Sequence, residues 1–369
     1  MVALMETMIG YPHYLRARDA VSVMMAQGMQ GVYEPSRYWL EELEGFDYLF
    51  DASPRLVAKL REHCYHLTGL KSYEYRRHHA HRKQPFVDKL VALRRLDKRG
   101  LWVPESPLLG GFGHEINGDL VNLDTLKFYE SLIAMDKAGI LSALEQSPSR
   151  PVAMEIGAGW GGFAYQMKTL LPNLTYVIVD LPPTLLFSAT YLATLFPDAK
   201  MYIYSRDTAE SALKNIADYD FVFLPHFITH HDMLPKLDLA INMVSFQEMT
   251  DAQIYGYVAW LWTQHCPMLY SHNRIKSPYN EQISNVEQLL DYGYALSQVS
   301  MLSVPYTVLR APAANGSLSF NPRKSLRTLV KWALGKAHTP ASGEYRHQFG
   351  RRKEALRPHA VPDSVLLAA

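Results

Sequence analysis

The sequence predicts an α/β protein, a doubly wound and mostly parallel sheet with a helical N-terminal cap, and three observations predict it. Residues 152–162 read VAMEIGAGWGG: a short apolar run, a glycine cluster, and then Phe163, Met167, Leu170 and Leu171 at helical spacing. Residues 174–180, LTYVIVD, form a second apolar run that ends in an acid one helix-length later. Short apolar runs and helical patterns then keep alternating to about residue 309, whereas residues 1–150 show no convincing run of strands.

Strand, glycine turn and helix open a nucleotide-binding sheet. Gly157, Gly159 and Gly162 satisfy the dinucleotide pattern GxGxxG, which alone is a weak signal. Glu155 shifts the balance away from a nicotinamide oxidoreductase, because it stands inside the apolar run where a dehydrogenase has an apolar residue. A carboxylate there is costly to bury without a partner, and a ligand with a cationic end supplies one. S-adenosylmethionine (SAM) carries both an ammonium and a sulfonium. Asp180, at the second strand end, can accept hydrogen bonds from both ribose hydroxyls. This set resembles motifs I and II of the class I SAM-dependent methyltransferases. It makes Glu155, Gly157, Ala158, Gly159, Gly161, Asp180 and Leu181 the expected cofactor contacts, with His226 and Ser245 from later strand ends.

Composition bounds the rest. The 369 residues are 48% hydrophobic and 20% charged, which is ordinary globular usage with room for an α/β domain and a second module. A formal net charge of +1 gives no global field toward nucleic acid or membrane. Two cysteines, Cys64 and Cys266, exclude a disulfide framework and make a reducing cytoplasm the expected compartment. The opening MVALMETM has an early acid and no basic region, so no signal peptide is expected. No apolar run approaches the roughly 20 residues that span a bilayer.

In chain order, residues 17–30 and 36–50 have mixed helical character. Residues 53–67 read as one helix, with Ser53 as cap and Pro54 in the first turn. Residues 73–83 are dense in Arg and His, by default a solvated face, and residues 84–99 are amphipathic. Residues 108–121 form a glycine-rich loop suited to a lid or a plain linker; Asn122, Asp124 and Thr125 then start a helix expected to reach Leu144. After Asp180, strands are expected at 200–204, 221–224, 237–243 and 268–270, with closing strands in 299–309. Of 200–204 and 221–224 the second is preferred as third core strand. The domains expected are 1–150, a cap for substrate binding or oligomerisation; 151–312, the methyltransferase core; and 313–369, a basic tail with one amphipathic helix at 326–334. The tail offers peripheral contact with a membrane surface, although a solvated tail is the default.

Several stretches together resemble the bacterial sugar O-methyltransferase family: LLGGFGHEINGDLVNLDTLKFYE, MEIGAGWGGFAY, VDLPPTLLFSATYL, FLPH, INMVSFQEM and SHNR. The resemblance covers residues 108–306 and implies a Rossmann-like sheet that methylates a hydroxyl of a sugar or glycan in a polysaccharide, glycolipid or metabolite. Nucleic acid is not an expected partner, and homo-oligomerisation stays open. A non-catalytic SAM- or nucleotide-binding subunit of a glycan-assembly complex is the alternative. Methyl transfer to a hydroxyl needs a general base. His272 is the first candidate, at the fifth strand end, and Glu248, at the fourth, either orients it or acts itself. Gln247, Asn273 and Arg274 are the expected acceptor contacts. His226, His230, His231 and Asp232 raise a metal question, but magnesium prefers oxygen to imidazole, so a divalent metal is not favoured.

Overall fold

The computed structural model describes residues 9–27, 34–230, 234–277, 280–301 and 345–356. Ten strands are numbered in chain order. A hairpin, β1 (His114–Ile116) and β2 (Asp119–Val121), precedes an eight-stranded sheet built from β3 (Val152–Ile156), β4 (Thr175–Asp180), β5 (Met201–Ile203), β6 (Phe221–Pro225), β7 (Leu239–Met243), β8 (Met268–Arg274), β9 (Tyr294–Gln298) and β10 (Tyr345–Arg352). Its order is β5-β6-β4-β3-β7-β8-β10-β9. All neighbours from β5 through β8 are parallel, and β10 runs antiparallel to both β8 and β9. This is a doubly wound, mostly parallel, Rossmann-like sheet.

Every residue of β3, β4, β6 and β7 is buried, as strands covered by helices on both faces must be. That double burial is why they read as largely apolar runs without strict alternation. The order of strand addition reverses at β3: the sheet grows toward β4 on one side and jumps to β7 on the other. The crevice at such a switch point is where ligands bind in open α/β sheets. β6 packs directly on β4, as preferred from the sequence, and β5 lies outside it.

Several boundaries need correction. Of the 299–309 segment expected to close the sheet, residues 302–309 lie outside the described residues; among those described β9 ends at Gln298, and its partner β10 lies within the stretch expected to be a tail. Three arginines hide β10 from a hydropathy reading. Its centre, His347 to Gly350, is nonetheless buried, and Arg346 finds Glu287 at 2.7 Å. The 326–334 helix lies outside the described residues. The 108–121 loop contains the β1–β2 hairpin. The next helix, Leu123–Lys137, starts on an Asn122–Thr125 capping box as expected but stops at Gly139 (φ 77°), and Ile140–Glu145 follows separately. The single helix expected at 53–67 is three short pieces.

The N-terminal region covers the sheet's ligand edge. The Tyr11–Ala26 helix packs on the Pro182–Leu195 helix, and the Tyr14 hydroxyl donates to the Leu49 carbonyl at 2.7 Å. Arg61, fully buried, ties this region to the glycine turn. Its Nε donates to Glu105 at 2.7 Å, its Nη2 donates to Asp124 at 3.0 Å, and its guanidinium lies 3.7 Å over the Trp160 ring. The Trp160 Nε1 donates in turn to Asp124 at 3.3 Å. Among the described residues no helix is long and apolar enough to cross a membrane.

Candidate active site

A cavity of about 550 Å³ opens at the switch point, between the carboxyl ends of the strands and the N-terminal region. The sheet contributes Glu155, Asp180, Ser245, Glu248 and Arg274, and the N-terminal region contributes Trp39, Glu42, Tyr65 and His66.

Glu155 sits in β3 with 1% of its surface exposed. The Tyr176 hydroxyl donates to its Oε2 at 2.8 Å. Burial pushes the carboxyl up to about 8, against that hydrogen bond. Asp180 ends β4. Its Oδ2 accepts from the Gly159 N–H and its Oδ1 from the Leu181 N–H, both at 2.8 Å, so it shapes the turn that it faces. Burial raises it to about 6 in spite of these donors and Thr184.

The turn after β3 needs glycine for two reasons. Gly157 has φ 75°, and a Cβ there would stand 1.9 Å from the Ser245 Oγ. Gly159 has φ 58° with open space around it. Ala158 and Leu181 also line the cavity, as does His226. Gly161 does not; its φ of 84° starts the Gly162–Leu170 helix.

After β7 the chain turns sharply at Val244, whose φ of 64° is a left-handed conformation that a β-branched residue avoids. The turn sets Ser245 against the glycine loop. It is stitched from below by Asn242, which donates to the Ile156 carbonyl at 2.7 Å and accepts from the Phe246 N–H at 2.9 Å. Glu248 follows in the same turn and lines the cavity. Burial raises its carboxyl to about 8, with Lys127 and Arg274 acting against the rise. Its backbone carbonyl accepts from the Ser36 hydroxyl at 2.6 Å, so the N-terminal region grips this turn.

Two sequence expectations fail here. His272 is not a base facing the cavity. β8 runs on to Arg274 rather than ending at Tyr270, so His272 is interior, with 0% exposure. Its Nδ1 is 3.1 Å from the Ser131 hydroxyl and its ring stacks 3.9 Å from that of His347. Burial, then the charges of His347, Lys127 and Lys89, hold it well below the ordinary imidazole range. Asn273 is not an acceptor contact: it is buried and donates to Asn242 and Ser271 at 2.9 Å. Gln247 and Arg274 do line the cavity, and the Gln247 Oε1 accepts from the Arg274 N–H at 3.0 Å. For the metal question, His231 and Asp232 lie outside the described residues; among those described no group of ligands is arranged for a metal.

The sequence reading missed Lys127, Asn242 and Val244, and it expected an N-terminal cap without naming Trp39, Glu42, Tyr65 or His66. Asn242 had a signal, a polar side chain inside the apolar run LAINM.

No protein-family model matches the chain, and no curated protein matches it. Solved structures similar to it include the phosphoethanolamine N-methyltransferase 2 of Haemonchus contortus with S-adenosyl-L-methionine, at 13% identity over 66% of this chain, with a TM-score of 0.34. The chain spans 61% of the length of that protein. Another is the magnesium protoporphyrin IX methyltransferase of Synechocystis PCC 6803 with bound SAM, at 11% identity over 72% of this chain and 97% of that one, with a TM-score of 0.36. At such scores the reading of the site rests on its own geometry.

Proposed function

We propose that the chain is a SAM-dependent O-methyltransferase acting on a hydroxyl of a sugar or glycan. The observation that carries this is Glu155: a carboxyl with 1% exposure, held by a tyrosine hydroxyl and facing a cavity at the switch point. Such a group calls for a cation, and SAM brings two. The residues fit the rest of that ligand. Gly159 leaves backbone open to it, Gly157 lets Ser245 close against the turn, and Asp180 stands one strand away for the ribose hydroxyls. Bound there, SAM supplies an electrophilic methyl group.

The chain's own residues then orient the acceptor and take its proton. Glu248 is the base, since it lines the cavity and its raised carboxyl suits proton abstraction near neutral pH. The sugar acceptor rests on the motif resemblance together with a wall that mixes aromatic, cationic and carboxyl side chains.

The test is turnover with labelled SAM and glycan fractions. The rate should rise with pH through an ionisation near 8, the value to which burial raises Glu248. Glu248→Gln should lower kcat roughly a hundredfold and abolish that ionisation, with SAM affinity nearly unchanged. His272→Gln should keep the wild-type pH profile. SAM or S-adenosylhomocysteine should raise the melting temperature; a rise with NAD alone would sink the reading.

A further inference from the structure

Beyond the glycine turn, the cavity wall carries two cations near Glu248. Arg274 is the last residue of β8. Its guanidinium lies 4.7 Å over the Tyr345 ring, and the Gln247 side chain fixes its backbone N–H. Its Nε is buried and has no hydrogen-bond partner among the described residues. Lys127, from the Leu123–Lys137 helix, donates to Asp124 at 3.2 Å. An ammonium has three donors, so two remain for a ligand.

Serving Glu248 does not account for this pair. With its carboxyl raised to about 8, Glu248 is mostly neutral at pH 7 and calls for no counterion there. A buried guanidinium donor without an acceptor is costly, and a planar fork of N–H groups matches a carboxylate or phosphate better than a neutral hydroxyl. Tyr345 supports the guanidinium from its face and narrows its orientations.

Building on the methyltransferase reading, we propose that the acceptor is anionic: a sugar bearing a carboxylate or a phosphate, which Arg274 and Lys127 bind while Glu248 receives the hydroxyl proton. Burial, Glu42 and Asp180 favour the neutral carboxyl at Glu248 while Lys127 and Arg274 favour the ionised one, and the anion offsets those two cations. The pH profile measured with an anionic acceptor therefore lies at higher pH than with a neutral one.

The experiment uses the full chain saturated with S-adenosylhomocysteine and titrates three probes calorimetrically: methyl glucoside, the corresponding methyl glucuronide and a glucose phosphate. At least one anionic probe should bind roughly tenfold or more tightly than methyl glucoside, and added salt should shrink the difference. Which anion gains identifies its chemical source. Arg274→Gln should erase the preference, and Lys127→Met should reduce it, with S-adenosylhomocysteine affinity reporting an intact fold in both. Equal binding of the three probes overturns the proposal. So does absence of probe binding in a protein that binds S-adenosylhomocysteine, or a preference that survives both substitutions. Failure to bind S-adenosylhomocysteine at all is the distinct failure of the methyltransferase reading, and this proposal falls with it.

Discussion

Glu130 and Glu155 are both interior carboxylates, 3% and 1% exposed, and the chain treats them in opposite ways. Glu130 pairs with Lys89, and its Oε1 lies 3.3 Å from the His347 Nε2. Burial pushes it up, but His347 and Lys89 outweigh burial and hold it below the ordinary range. Glu155 meets the Tyr176 hydroxyl and is left at about 8. Burial alone therefore does not distinguish a structural carboxylate from a functional one. What distinguishes them is whether the chain supplies the opposite charge. At Glu130 it does, from a helix and from β10; at Glu155 the chain offers only a hydroxyl and the weaker pull of Lys127, which does not outweigh burial, and the proposed cationic ligand would complete the pair.

The largest effect should come from breaking the completed pair. Glu130→Gln strands a buried ammonium and should cost about 3–5 kcal/mol in urea unfolding. It should leave SAM affinity alone if the protein folds. Glu155→Gln should do the reverse. Loss of a charged partner costs roughly 1.5–3 kcal/mol, so calorimetry should show SAM affinity falling about tenfold or more while the fold survives.

The sign of the pH effect sharpens the contrast. Glu155 is raised above the ordinary 4.5, so its share of stability is complete below that value and is lost as pH rises through about 8. The ligand-free wild type should lose stability across that window relative to Glu155→Gln. A cationic ligand favours the ionised carboxylate, so binding at pH 7 should release protons, read as a dependence of the binding heat on the buffer. An ordinary, buffer-independent heat would mean that Glu155 does not meet the cation.

Asp180→Ala should weaken SAM about tenfold or somewhat more, because it removes the carboxylate proposed to take the ribose hydroxyls and frees the Gly159 and Leu181 N–H groups. Val244→Gly should have the smallest effect. It relieves a left-handed conformation worth about 1–2 kcal/mol but loosens the unfolded chain, so the melting point should move by only a few degrees.

The contrast also shows what the sequence could reveal. Glu155 was legible because its anomaly is local, an acid among the four apolar residues of β3. β3, β4, β6 and β7 were legible because burial on both faces leaves them largely apolar, with Glu155 and Asn242 standing out as exceptions. Glu130 carried no such flag: its partners, Lys89 and His347, are remote in sequence and meet it only in the fold. His272 was misplaced for the opposite reason. SHNR is polar enough to look like a loop, yet β10 supplies the strand pairing and the stacked imidazole that let those residues continue β8. Trp39 and Tyr65 joined the cavity wall without any shared motif.

The position of β10 also bears on the order in which the protein can be made. β8 and β9 do not touch each other in the sheet; each pairs with β10, which leaves the ribosome after both. Until Arg352 has emerged, the outer edge of β8 is an open row of N–H and C=O groups, and β9 has no place to dock. A nascent or clipped chain that lacks β10 presents that edge to any other extended chain, a route to aggregation. For this half of the sheet, a folding helper that shields strand edges would act late, in the interval between synthesis of β9 and arrival of the strand that completes it.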